Sequence, residues 1–282
     1  MKRNSLQAGC VAALAASLFF SAGCDKLRSR DQINQGVRSF ENAKYSDAVE
    51  HFKTAIQLDP KSQNAKLYLA TAYMTQWIPG ADSPENKQLA DAAKNGFLDV
   101  LKDSPNDKTA LASLASLAYN QAASLPPEEK VKKFDEASEW HKKLIAVDPN
   151  NKEAYYSLGV IAWGKWYPAY MTARAKLGMK PEDPGPIKDK AVREELKTQY
   201  SGIIDEGIQD LKKALEIDKE YDDAMAYMNL LIREKAGLAD TMDEYNQQTA
   251  EADAWVQKAL DTKKLKASRT PAGAGGITAE TK

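Results

Sequence analysis

Cysteine is almost missing from this chain: of 282 residues only Cys10 and Cys24 are cysteine. Nothing after Cys24 can therefore form a disulfide or a cysteine-built metal site. Histidine is as scarce. His51 and His141 stand alone, with no second histidine three or four residues on to complete a zinc pair. Neither sign of charge prevails, since 39 lysines and arginines face 40 acids for a net charge of −1. No overall field draws the chain to nucleic acid or to an acidic substrate. A run of about 18 apolar residues, enough for a membrane-spanning helix, is missing too. What remains is ordinary for a packed protein, with 43% hydrophobic and 28% charged residues.

The N-terminus has a different composition. Lys2 and Arg3 precede an uncharged stretch, Gln7 to Gly23, within which Val11 to Phe20 is almost wholly apolar. That pattern suits a secretory signal peptide. It ends in Ser21-Ala22-Gly23-Cys24, followed at once by charge. Small residues directly before a cysteine resemble the bacterial lipobox, with Ser21 where such boxes usually carry leucine. The resemblance implies cleavage after Gly23, acylation of the Cys24 thiol, and a lipid-anchored protein of the cell envelope facing the periplasm. An ordinary signal peptide or an uncleaved anchor is the alternative. We expect residues 1–23 to be the signal, 24–30 a short tether, 31–266 the folded part and 267–282 a disordered tail, because the last stretch has almost no large apolar residue.

The folded part repeats. In Gln35 to Pro60, Gly36 is followed 12 residues later by Ala48, then by Phe52, Ala55 and Pro60. Small residues let two antiparallel helices touch, Phe52 and Ala55 turn the second helix inward, and Pro60 stops it. The same offsets before Pro105 hold Ala93, Phe97 and Val100. Before Pro149 they hold Ala137, His141 and Leu144, and before Lys219 they hold Gly207, Leu211 and Ala214. A fifth unit offers Ala252, Val256 and Ala259. Ten residues past each terminator lie Ala70, Ala115, Gly159 and Asn229, the counterparts of Gly36. This order of small, small, aromatic, alanine and proline resembles the tetratricopeptide repeat (TPR). The resemblance implies an all-α, right-handed superhelical solenoid of about five helical hairpins that binds other proteins.

Later hairpins are extended. The distance between the two small residues grows from 12 to 23, 22, 48 and 23, while that from terminator to small residue stays constant. All the added chain thus sits at one end of each hairpin. Ser83-Pro84, Pro127-Glu128-Glu129 and the Thr241/Glu244 pair mark starts of long second helices. Lys180 to Pro186 reads as a rigid loop before a helix from about Ile187 to Ile217. Trp77-Ile78-Pro79 and Trp166-Tyr167-Pro168 stand at equal distances from Ala70 and Gly159, each placing a tryptophan where a proline is expected to break the helix.

No constellation of catalytic residues emerges, so we expect no enzyme, no cofactor and no metal. Gly159 to Lys165 imitates a phosphate loop, but Trp166 stands where serine or threonine must hold magnesium and the segment is helical. The informative surface is the concave face that the family resemblance assigns to the first helices. Phe40, Met74, Tyr119 and Trp163 lie four residues after each small residue, and Ile33, Leu67, Ala112 and Tyr156 three before it. We take Phe40, Met74, Tyr119, Tyr156 and Trp163 as a partner-binding groove for a hydrophobic peptide or helix. Family members that clamp a C-terminal carboxylate carry Lys, Arg and Asn on this face, and these positions are mostly apolar here. The same stripe would be core if the extended hairpins covered it. The function expected is a lipid-anchored interaction scaffold. The alternatives are an accessory subunit of an envelope assembly, similar in layout to lipoproteins of barrel or pilus assembly, and a small-ligand receptor. The lipobox resemblance predicts that mass spectrometry of the mature N-terminus finds an acylated Cys24, and that Cys24→Ser yields a soluble or signal-retaining form without the acyl chain.

Overall fold

A computed structural model describes residues 24–269, so the signal segment and residues 270–282 lie outside the described part. Among the described residues every regular element is helical. The helices are α1 (24–41), α2 (Tyr45–Leu58), α3 (Gln63–Gln76), α4 (Pro84–Asp103), α5 (Lys108–Gln121), α6 (Pro127–Val147), α7 (Lys152–Lys176), α8 (Lys190–Ile217), α9 (Asp222–Ala236) and α10 (Met242–Arg269). They form the five expected hairpins, and the all-α repeat fold is TPR-like. The chain divides into two compact units, Met1–Trp140 and His141–Lys282, with the boundary inside α6.

Turn chemistry sets the repeat. Each terminator, Pro60, Pro105, Pro149 or Lys219, lies two residues past a second helix and three before the next first helix. Ser62, Asp107 and Asn151 then cap the new helix, accepting from the backbone N–H of Ala65 at 3.4 Å, Ala110 at 2.8 Å and Ala154 at 2.9 Å. Such caps satisfy N–H groups that a helix start leaves without partners. Thr241 accepts from Glu244 N at 3.1 Å, while the Glu244 carboxylate reaches back to Asp240 N at 3.0 Å, one residue beyond the usual capping-box partner.

Small residues set the helix spacing. Ala48, Ala70, Ala93, Ala115 and Ala137 are fully buried. A Cβ on Gly36 would lie 2.5 Å from the Phe52 ring, and one on Gly207 would lie 2.5 Å from the Ala162 Cβ. Gly159 faces the Leu211 side chain with no room for a methyl group. Phe52, Phe97 and Leu211 fill the second-helix position as expected, each within 1% of full burial. The fifth unit departs: Val256 is 36% exposed. Asn229 occupies its small-residue position and accepts from Arg233 at 3.0 Å, while Ala252 on α10 is fully buried like the small residues of the other hairpins.

Four further expectations are corrected. Residues 24–30 are not a tether but the opening turns of α1, where buried Ser29 donates to the Ala55 carbonyl at 2.8 Å. The C-terminal helix runs on to Arg269, past the expected end at 266, because Lys266 and Arg269 pair with Asp222 and Glu220. The two Trp-x-Pro segments also differ. α3 stops at Gln76, but α7 continues through Pro168 to Lys176. Beyond Pro168, Tyr170 and Ala173 are buried, whereas Ile78 is exposed and Gly80 turns at φ 82°. Burial of the later turns offsets the hydrogen bond the proline removes. α8 begins at Lys190 rather than near Ile187 because Asp189 caps it, accepting from Ala191 N and Val192 N.

Gly159→Leu should therefore overpack against Leu211 and lower stability by roughly 1–3 kcal/mol or more, with the loss spreading to neighbouring hairpins. Gly202, mid-helix with nothing near its missing Cβ, supplies the control: Gly202→Ala should raise stability by about 0.5–1 kcal/mol. Urea unfolding of the two variants measures both.

Candidate functional site

The five expected groove residues fall into the two units separately. In the first unit, Phe40 is half-buried, meeting Tyr45 edge-on with ring centroids 5.2 Å apart and packing on the Ala48–Phe52 core. Met74 is half-buried against the core around Ala70 and Phe97. Tyr119 is 36% exposed and stacks on Phe134 of α6 at 5.5 Å. In the second unit, Tyr156 and Trp163 are half-buried beside the α7–α8–α9 core. These side chains each have one side in the core and one toward solvent, so neither the open-groove nor the covered-core expectation describes them fully.

The structure gathers the second unit's pair into a larger cluster. Tyr156 and Trp163 are seven residues apart on α7, and Tyr227 and Glu234 seven apart on α9, so each pair lies on one helix face. Tyr227 meets Tyr156 edge-on at 5.6 Å and Trp163 edge-on at 5.8 Å. Tyr167 stacks on Trp163 at 4.8 Å, and Tyr221 lies against Tyr156 at 5.0 Å. Beneath the rings Glu234, only 7% exposed, accepts the Trp163 indole N–H on Oε1 at 3.0 Å. Its Oε2 is buried with no hydrogen-bond partner. Burial pushes the Glu234 carboxyl up to about 7, against the opposing effect of the Trp163 N–H. Tyr221 donates to Glu153, and burial together with that carboxylate raises its phenol well above the usual range.

Sequence reasoning found Tyr156 and Trp163 but missed Tyr227 and Glu234. The spacing of Tyr227 to Glu234 on the last first helix repeats that of Tyr156 to Trp163, which was the available signal. The histidines are not gathered into a site. His51 Nδ1 is hydrogen-bonded to Gln32 at 2.8 Å, tying α2 to α1. His141 is buried, and desolvation lowers its imidazole to about 4. Among the described residues no group of His, Cys, Asp and Glu could hold a metal ion. Trp77 and Trp166 are buried staples, Trp166 lying between Tyr170 and Tyr200 at 5.3 Å from each. Cys24 is a free, exposed thiol in the opening turn of α1. No described helix is long and apolar enough to cross a membrane.

The fold defines a class, the TPR-like helical repeat, and the MamA structures are similar to it in fold. The crystal structure of MamA protein aligns with 88% of this chain and 98% of its own, at TM-score 0.52 and 15% identity. MamA residues 41 to end from Desulfovibrio magneticus RS-1 align with 85% of this chain and 97% of their own, at TM-score 0.50 and 15% identity. A thermophilic TPR protein of Thermus thermophilus covers 85% and 97% at TM-score 0.43 and 16% identity. At such identity the MamA structures share the fold alone. No protein-family model matches the chain, and no curated protein matches it by sequence.

The Glu234 environment predicts a pH effect of definite sign. Its pKa is raised on folding, from 4.5 to about 7, so the folded state holds the proton more tightly between those values. Its contribution to stability is full below pH 4.5 and declines by about 3 kcal/mol as pH rises to 7. His141, lowered from 6.5 to about 4, acts oppositely: its contribution is full above pH 6.5 and is lost as pH falls to 4. Thermal unfolding from pH 5 to 8 should therefore show a stability difference, wild type minus Glu234→Gln, that falls by about 3 kcal/mol.

Proposed function

We propose that the chain is a non-catalytic interaction scaffold of the bacterial envelope, anchored by an acylated Cys24 and facing the periplasm, whose first-helix faces capture a segment of a partner protein. The observation that carries this reading is the recurrence of half-exposed aromatic and apolar side chains at one offset on successive first helices: Phe40, Met74, Tyr119 and Trp163. Such rings bury much area at low entropic cost when a partner covers them. The TPR-like fold supports protein binding as the class of activity, while the partner follows from the face and not from the fold. The exposed Cys24 at the start of α1 supports the anchor. With residues 24–30 helical, that anchor would hold the first hairpin close to the bilayer.

Tyr119 offers the cleanest test, being the most exposed of the five and stacked on the Phe134 ring. Tyr119→Ala should reduce crosslinked partner recovery from the native envelope by about tenfold or more, the loss expected of an aromatic hot spot. Its melting temperature should fall by only about 2–4 °C, as for a loss near 1 kcal/mol in a protein of this size. A large fall in melting temperature with recovery unchanged would make Tyr119 a packing residue and end this reading of the face.

A further inference from the structure

Glu234 is an unusual residue to find beneath an aromatic surface. A buried carboxylate normally has both oxygens satisfied, by a cation or by N–H donors. Here Oε1 has the Trp163 N–H and Oε2 has nothing. Cations adjacent in sequence and on α7 are engaged elsewhere. Arg233 binds Asn229 and Asp253, and Lys235 binds Asp205 of α8. On α7, Lys152 pairs with Asp218 and sits over the Tyr221 ring. Arg174 donates to the Tyr170 hydroxyl and to the Lys180 and Asp183 carbonyls. Tyr170 of α7 also senses the Glu234 charge, and Tyr245 of α10 acts on it as well.

The surroundings favour positive charge. Tyr156, Tyr167, Trp163 and Tyr227 present π-faces and edges at the surface, and exposed Asp223, one turn before Tyr227, acts on that ring through its charge. Glu153 stands on the other side, holding Tyr221.

We propose that the Trp163–Tyr227–Glu234 corner binds a cationic side chain, arginine foremost, presented by a segment of a partner protein. A guanidinium is flat enough to lie along the rings and is weakly hydrated, and its charge would favour the ionised form of Glu234 lying directly beneath them. An anion or a C-terminal carboxylate would meet the buried acid and Asp223 instead. The inference rests on the scaffold reading and adds the chemistry of the captured segment.

The pH dependence of binding follows by linkage. A cation binds the ionised carboxylate better than the neutral acid, so binding expels the Glu234 proton and strengthens as pH rises through neutrality. An acid titrating near 7 is about one-tenth ionised at pH 6 and about nine-tenths at pH 8, which makes the expected gain roughly tenfold.

The probes are capped peptides alternating alanine with arginine, and the same peptides with citrulline, which keeps the shape and removes the charge. Binding to the soluble chain from residue 24 onward is measured by calorimetry at pH 6 and pH 8. The arginine peptide should bind about tenfold more tightly at pH 8, the citrulline peptide should bind weakly at both, and Glu234→Gln should bind weakly with no pH dependence. Glu234→Asp, which retains the charge, should keep the pH dependence and covers the case in which the glutamine variant fails to fold. Equal binding of arginine and citrulline, or an arginine affinity that is pH-independent or unaltered in the glutamine variant, overturns the proposal. Should that happen while Tyr119-dependent capture persists, the cation site is wrong and the scaffold stands; loss of both removes the scaffold reading.

Discussion

The structure depends on how closely two helices can approach where neither carries a side chain larger than a methyl group at the crossing. Gly159 and Gly207 let α7 and α8 meet, with Leu211 against Gly159 and Ala162 against Gly207, and Gly36 receives the Phe52 ring in the first hairpin. Close packing of this kind tolerates little change in volume. It fixes which face of each helix is inward, and therefore which side chains remain to meet solvent. In the fifth hairpin Ala252 is again fully buried, while Val256, one turn on, is 36% exposed at a position that is buried in the other hairpins.

Extended hairpins create a second demand, because chain leaving a helix must satisfy its backbone groups. Side chains meet it. Asn86, 7% exposed, accepts from Ile78 N at 2.8 Å and donates to the Ile78 and Ala81 carbonyls, pinning the segment after α3. In the second unit buried Arg174 donates to the carbonyls of Lys180 and Asp183, and Arg193 to that of Ile187. Charged donors suit this task because each can hold several carbonyls at once. These residues are buried and polar for structural reasons, which sets them apart from Glu234, whose second oxygen serves no such purpose.

The first-helix faces combine packing with recognition. A ring that is half in the core is held rigidly and still has area to offer a partner, which lowers the entropy lost on binding. Trp163 is the clearest case, fixed by Glu234, Tyr167 and Tyr227 while partly open to solvent. A carboxylate placed under such rings adds charge selectivity to a surface that composition alone describes as apolar.

Much of the fold was legible in the sequence because a helical repeat is encoded locally. Terminator and small residue recur at constant offsets, and Pro60 and Ala70 can be read without knowing any distant contact. Where the outcome turned on what packs above a residue, local pattern was insufficient. Pro168 reads as a break, yet burial of Tyr170 and Ala173 carries α7 past it. Residues 24–30 read as a polar tether, yet Ser29 finds the Ala55 carbonyl 26 positions away. Nothing in the local sequence marks Glu234 as buried. Only the tertiary structure places it beneath Trp163, 71 residues earlier in the chain, where desolvation changes its proton affinity. The sequence by itself determined the helices and their spacing, since those follow from short-range sterics and capping. The burial, partners and charge state of single side chains were decided in three dimensions, because they depend on neighbours that the chain brings together only by folding.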